Sequence, residues 1–169
     1  MKKTIAVLNR LEKDGIIGHY AIGGAMAATF YVEPFTTFDL DVFVVLAQKG
    51  DSPLLSLTPI YQALHEMGYS DDKECVMVEG VPVQFLPAYN ALLEEALAQA
   101  PEVPYEDLRT RILSAEHLAA VAVQTGRGKD RSRVQMFLDA GVLDMKKLSD
   151  ILSRYGLENK WKKWTETQA

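Results

Sequence analysis

The sequence predicts an α+β domain, a small mixed β-sheet flanked by helices, with a C-terminal helical segment packed on it. Three observations carry this. Apolar residues alternate with period two over residues 39–46 and again on both sides of Glu79-Gly80. Helical spacing separates these runs, as at Ile5, Leu8 and Leu11 and at Ile60, Leu64 and Met67. Beyond Pro101 and Pro104 the pattern is helical throughout. The α+β core is therefore expected at residues 1–104 and the helical segment at 105–169. With 169 residues, 48% hydrophobic and 24% charged, the chain is long enough for one real core. This composition excludes disordered and low-complexity architectures.

Each element has a local reason. Asp14-Gly15 stops the first helix, and 19–22 reads as a short strand running into Gly23-Gly24. Small residues from Ala25 to about Phe30 favour a helix, and Pro34 with Thr36-Thr37 marks a loop. In the strand at 39–46, Leu40, Val42, Val44 and Leu46 point one way, and Asp39, Asp41, Phe43 and Val45 the other. After a loop at 50–53, Thr58 is placed as the N-cap of a helix with Pro59 at its first position, and Gly68 closes it. Strands at 74–78 and 81–86 meet across Glu79-Gly80, a hairpin turn. Pro82 has no N–H, which predicts an edge strand or a bulge. A helix from about Tyr89 to Gln99 follows. Ser114 and Gly126, then Lys129 and Gly141, then Asp144 and Gly156 bracket three more.

Several function classes drop out early. No apolar run approaches the roughly 20 residues that span a bilayer. The opening Lys2-Lys3 and Ile5–Leu8 imitate a signal peptide, but Asn9, Arg10, Glu12, Lys13 and Asp14 interrupt it, so a cytoplasmic location is expected and no membrane partner. Cys75 stands alone and reads as a small core hydrophobe, and His19, His65 and His117 lack metal-ligand spacing. Charge is asymmetric. Residues 1–108 carry 6 basic and 16 acidic side chains, and residues 109–169 carry 12 and 7. An acidic half suits a divalent metal, and a basic half suits phosphates or an acidic protein.

Two features carry chemistry. At Gly23-Gly24, a strand-to-helix junction, backbone N–H groups meet a phosphate with no Cβ in the way. After a fourteen-residue spacer, Asp39-Leu40-Asp41 puts two carboxylates on the same side of a strand. Such a pair repels itself unless a cation neutralises it, and Mg²⁺ takes one or two carboxylates plus substrate phosphates.

This order, Ile22-Gly23-Gly24 followed by Thr37-Phe38-Asp39-Leu40-Asp41-Val42-Phe43, resembles the nucleotidyltransferase superfamily with the DNA polymerase β-like fold. Leu113–Leu118 and Gln124–Asp130 resemble the helical segment of AbiEii-type proteins, bacterial nucleotidyltransferase-like toxins of toxin–antitoxin systems and their unassigned relatives. The resemblance runs from about Tyr20 to Leu138. It implies an NTP triphosphate on Gly23 and Gly24, with Asp39 and Asp41 as catalytic residues holding Mg²⁺ or Mn²⁺. An acceptor hydroxyl on RNA or protein would then displace pyrophosphate.

The sequence departs from the family pattern in two places. The strand that usually supplies a third carboxylate carries Gln84, which offers a metal a neutral carbonyl but no carboxylate base. Glu79, at the turn, is a distant replacement. The helix at Ala119–Val123 also lacks a lysine common in the AbiEii-like pattern, whose charge falls to Arg127 and Lys129, expected to bind the nucleotide. Arg127, Lys129, Arg131 and Arg133 form a basic helix start that reads as a contact for NTP phosphates, RNA or an acidic protein, or as a solvated helix end. Trp161 and Trp164 read as a docked terminal helix or as RNA-stacking indoles. Two functions stand side by side: a metal-dependent nucleotidyltransferase, and a weakened module of the same fold that binds nucleotide or a protein or RNA partner without turnover. Gln84 separates them.

Overall fold

The computed structural model describes residues 1–33, 37, 39–46 and 56–166, and the loops expected at 34–36 and 50–53 lie outside these. The α+β reading holds. α1 (Lys2–Lys13) buries Ile5, Leu8 and Leu11 and ends at Asp14. β1 (Ile17–Ile22) leads through Gly23 into the short α2 (Gly24–Ala28). β2 (Leu40–Leu46), α3 (Thr58–Glu66), β3 (Ser70–Asp72), β4 (Cys75–Val78) and β5 (Val81–Pro87) follow. The described strands order as β1-β2-β5-β4-β3, with β2 and β5 parallel and the other neighbours antiparallel. A parallel pair needs a crossover, and the chain from α3 to β4 supplies it.

Alternation assigns the two faces of the sheet. Tyr20, Val42, Val44, Val76, Val83 and Phe85 are buried on one face. There the Tyr20 hydroxyl donates to Asn9 Oδ1 of α1 at 2.6 Å, and Phe85 meets Tyr61 of α3 edge-on at 6.4 Å. The opposite face carries Asp41 directly beside Gln84. Cys75 follows at the next position along from the Val76–Val83 pair. Cys75 is half-buried on this open face, not a core residue as expected, because Val76 and Val78 take the inward positions.

Other expectations are corrected. Thr58 is the first helical residue, and Ser56 Oγ accepts its N–H at 3.2 Å in the capping role. β5 is central, not an edge. Pro82 is tolerated because pairing with β2 begins only at Val83, and the two-residue turn leaves the Met77–Pro82 pair without ladder hydrogen bonds. That turn has φ +52° at Glu79 and +80° at Gly80, the left-handed pair a tight hairpin requires. β3 has no apolar pattern and was illegible. A second hairpin, β6 (Glu102–Tyr105) and β7 (Leu108–Arg111), occupies the stretch read as linker and helix, and it spans residue 104. Its exit joins the sheet, where Leu113 N–H donates to the Ile22 carbonyl at 2.9 Å.

The remaining helices are α4 (Ala91–Ala98), α5 (Ala115–Thr125), α6 (Gly128–Asp139), α7 (Met145–Arg154) and α8 (Glu158–Glu166). Asn90, Ser114 and Asp144 cap α4, α5 and α7 through their side chains. α8 docks rather than projecting its indoles. Trp161 and Trp164 pack against the core, and Lys160 Nζ donates to the Gln124 carbonyl at 2.8 Å.

A buried polar relay joins α4, α5 and α7. His117 is fully buried, with Nδ1 2.9 Å from Ser114 Oγ and Nε2 3.1 Å from Glu95 Oε1. Glu95 also accepts from Arg154 and, at 2.7 Å, from the Tyr155 hydroxyl. Arg154, with Tyr155 and His117, holds the Glu95 carboxyl down at about 2 despite burial. Burial pushes His117 below its ordinary value despite Glu95. Nε2–H therefore donates to the ionised Glu95, and Nδ1 accepts from Ser114. Both shifts act in the same direction. The unfolded chain takes up a proton at His117 below about 6.5 and at Glu95 below about 4.5, each before the native state does. Thermal unfolding across pH should show Tm falling as pH drops below about 6.5. In His117→Gln the fall should begin only near 4.5. Identical profiles would show that His117 is not the group responsible.

Candidate active site

The open face of the sheet, α2, one face of α5 and the N-terminal end of α6 enclose a cavity of about 290 Å³. Gly24, Asp39, Asp41, Gln84, Arg127 and Lys129 all line it, and so does Arg133. Every predicted site residue but Gly23 thus reaches one space. Gly23 is buried behind it, with its N–H committed to the Asp41 carbonyl at 2.9 Å.

The glycine pair is explained by close approach. A Cβ at Gly23 would overlap the Phe43 ring, and one at Gly24 would overlap the Asp41 carboxylate, lying 2.7 Å from its Cγ. Gly24 also has φ +56°, a conformation that penalises a side chain. The two glycines bring the β1–α2 backbone against the acidic strand and leave the carboxylates open to the cavity.

Asp41 is a charged group in an unfavourable place. Burial raises its carboxyl above the ordinary range, and Asp39 raises it further, with Arg133, Lys129 and Arg127 opposing. The Asp39 and Asp41 carboxylates, with the Gln84 amide beside them, are a hard-oxygen donor set suited to Mg²⁺ or Mn²⁺. Among the described residues no group of three or more His, Cys, Asp or Glu side chains is placed to hold an ion. Glu79 is not a substitute ligand, since it accepts from the Tyr69 hydroxyl at 2.9 Å at the far turn. Glu74 Oε2 lies 3.5 Å from Gln84 Nε2.

The basic helix start divides. Arg127, Lys129 and Arg133 turn into the cavity. Arg131 turns away and donates to the Trp164 carbonyl at 2.9 Å, tethering α8. Asp130, 1% exposed, organises the cluster. It accepts from Arg127 Nε at 2.8 Å and from Arg133 Nη1 at 3.5 Å. This bond, with the fields of Asp41 and Asp39, raises the Arg127 guanidinium above its already high ordinary value. From the sequence Asp130 reads only as an acid near the N-terminal dipole of a solvated helix end, although Arg127, Asp130 and Arg133 stand three apart, the spacing that stacks side chains on one helix face.

No family model matches the chain, and no curated protein matches it significantly. Among the described residues no helix is long and apolar enough to cross a membrane. Solved structures do match. The antibiotic-resistance factor ANT(2'')-Ia superposes with TM-score 0.54 at 12% identity, over 98% of this chain and 96% of that one. An antigenic nucleotidyltransferase-like protein from Paracoccidioides brasiliensis superposes with TM-score 0.51 at 12% identity, over 95% of this chain and 88% of that one. The chain has a nucleotidyltransferase-like fold.

Proposed function

We propose that this protein is a Mg²⁺- or Mn²⁺-dependent nucleotidyltransferase that moves an NMP from an NTP to a hydroxyl of RNA or protein. One observation carries the reading: two neighbouring carboxylates and three cations converge in a single cavity on this fold. Asp39 and Asp41 would hold the metal, with the Gln84 carbonyl as a neutral ligand. When bound, the ion neutralises phosphate charge and activates the attacking oxygen.

The protein's own groups do the rest. Arg127, Lys129 and Arg133 offset the triphosphate charge and that of the departing pyrophosphate. Gly24 places no side chain against the Asp41 carboxylate, which leaves room there for phosphate and metal. The acceptor hydroxyl attacks the α-phosphorus in line and gives its proton to solvent, while the bond to the bridging oxygen breaks and pyrophosphate leaves with the electron pair. Gln84 accepts no proton, so this position supplies no carboxylate base. The toxin–antitoxin role implied by the AbiEii resemblance is the same chemistry directed at a cellular acceptor.

Gln84 also favours a second reading, a module that binds nucleotide or a partner without turnover. Pyrophosphate release from Mg-NTP separates the two. If the wild type is a weakened enzyme, Gln84→Asp should raise the rate by roughly a hundredfold, the scale of a positioned base. A Gln84→Asp protein that binds Mg-NTP and stays inert supports the binding module.

A further inference from the structure

The cavity has two chemically different ends. Asp41 lies opposite Gln84, and further along the same face Phe43 lies opposite Leu86, with Pro87 at the strand end. Moving from Gln84 to Pro87 covers roughly 10 Å at about 3.3 Å per residue. Over that distance the lining changes from charged to apolar, with Leu86, Pro87, Leu118, Val121 and Ala122 forming a wall. Tyr89 stands at the rim, 68% exposed, and among the described residues no ring or cation stacks on it. Its neighbours are anchored on both sides. Ala88 N–H donates to the Val44 carbonyl at 3.0 Å, while the Asn90 side chain caps α4 and donates to Gln124 Oε1 at 3.0 Å. The ring is thus an exposed aromatic surface held on a fixed backbone.

This end has few groups that read a hydrogen-bonding edge. Its side-chain polar atoms are the hydroxyls of Tyr89 and Thr125, and Thr125 already donates to the Val121 carbonyl at 2.8 Å. A planar heterocycle is attracted to an aromatic face and an apolar wall whatever its edge pattern. We propose that Tyr89 and the Leu86–Pro87–Val121 wall form a nucleobase subsite that binds by stacking and accepts all four NTPs. This rests on the nucleotidyl-transfer reading above, with the triphosphate at the charged end.

Calorimetric titration tests it, with wild type, Tyr89→Phe and Tyr89→Ala, each with Mg²⁺ and the four NTPs or inorganic tripolyphosphate. Wild type should bind the four NTPs within about fivefold of one another, and Tyr89→Ala should weaken all of them by about tenfold. Tyr89→Phe should match the wild type, and tripolyphosphate should bind all three proteins equally. Strong selection of one base, an unchanged NTP affinity in Tyr89→Ala, or an equal loss of tripolyphosphate would overturn the subsite. If wild type binds neither tripolyphosphate nor any NTP, the nucleotidyl-transfer reading falls and takes the subsite with it.

Discussion

Asp130→Ala is expected to lower Tm by roughly 6–12 °C, at about 2–4 °C per kcal/mol for a chain of this size. The Asp130 carboxylate is buried, and Arg133, whose side chain is 13% exposed, depends on it. Arg133 Nε is already buried without a partner. Removing the anion leaves a desolvated guanidinium uncompensated, at a cost of about 3 kcal/mol. The low end of the usual range applies because the Arg127 side chain, 58% exposed, regains water easily. Asp130→Asn keeps the volume and one acceptor and should lose less. The surviving protein should also bind Mg-NTP more weakly, since Arg127 and Arg133 lose the group that aims them. A Tm within about 2 °C of wild type in Asp130→Ala would show that the buried carboxylate contributes little.

Gly24→Ala should be at least comparably damaging. A left-handed conformation costs an ordinary residue about 1–2 kcal/mol. Overlap with the Asp41 carboxylate adds about 1–3 kcal/mol. Gly15 is the comparison: it has φ +69° but open space at its Cβ position. Gly15→Ala should cost the backbone term alone. Chemical denaturation of both variants tests this, and equal losses would remove the Asp41 contact as a cause.

Much of this site was legible because it is encoded locally. Gly23-Gly24 and Asp39-Leu40-Asp41 are short motifs whose geometry follows from strand alternation. Gln84 stands opposite Asp41 where the family resemblance implies a third carboxylate. Helix ends were legible where a side chain caps them, as at Ser114 and Asp144. What the sequence hid is non-local. The strand Ser70–Asp72 is fully exposed, so it shows no apolar alternation. The hairpin at 102–111 contains Pro104 and a charged turn, the usual signs of a linker. Arg131 and Arg133 are two residues apart, so helical spacing puts them on different faces. Only packing shows that one ties down α8 and the other enters the cavity. Tyr89 reads from the sequence only as the start of a helix, because the cavity that it lines together with α5 residues is made by packing.

Asp41 tests the account most directly. Burial and Asp39 raise its carboxyl above the ordinary 3.8. The native state therefore holds that proton more tightly than the unfolded chain does. Stability is lost as pH rises through the window above 3.8. At neutral pH the free protein carries this penalty, and a cation with its phosphate ligands relieves it. Thermal unfolding of wild type and Asp41→Asn, with and without Mg²⁺ and NTP, reads both effects at once. The free Asp41→Asn protein should melt above free wild type. Mg-NTP at about 100 times its Kd should raise the wild-type Tm by roughly 5–10 °C. The variant should show no such rise. A wild type unmoved by every Mg-NTP, or an Asp41→Asn protein stabilised as strongly as wild type, would contradict a metal–nucleotide site at this strand.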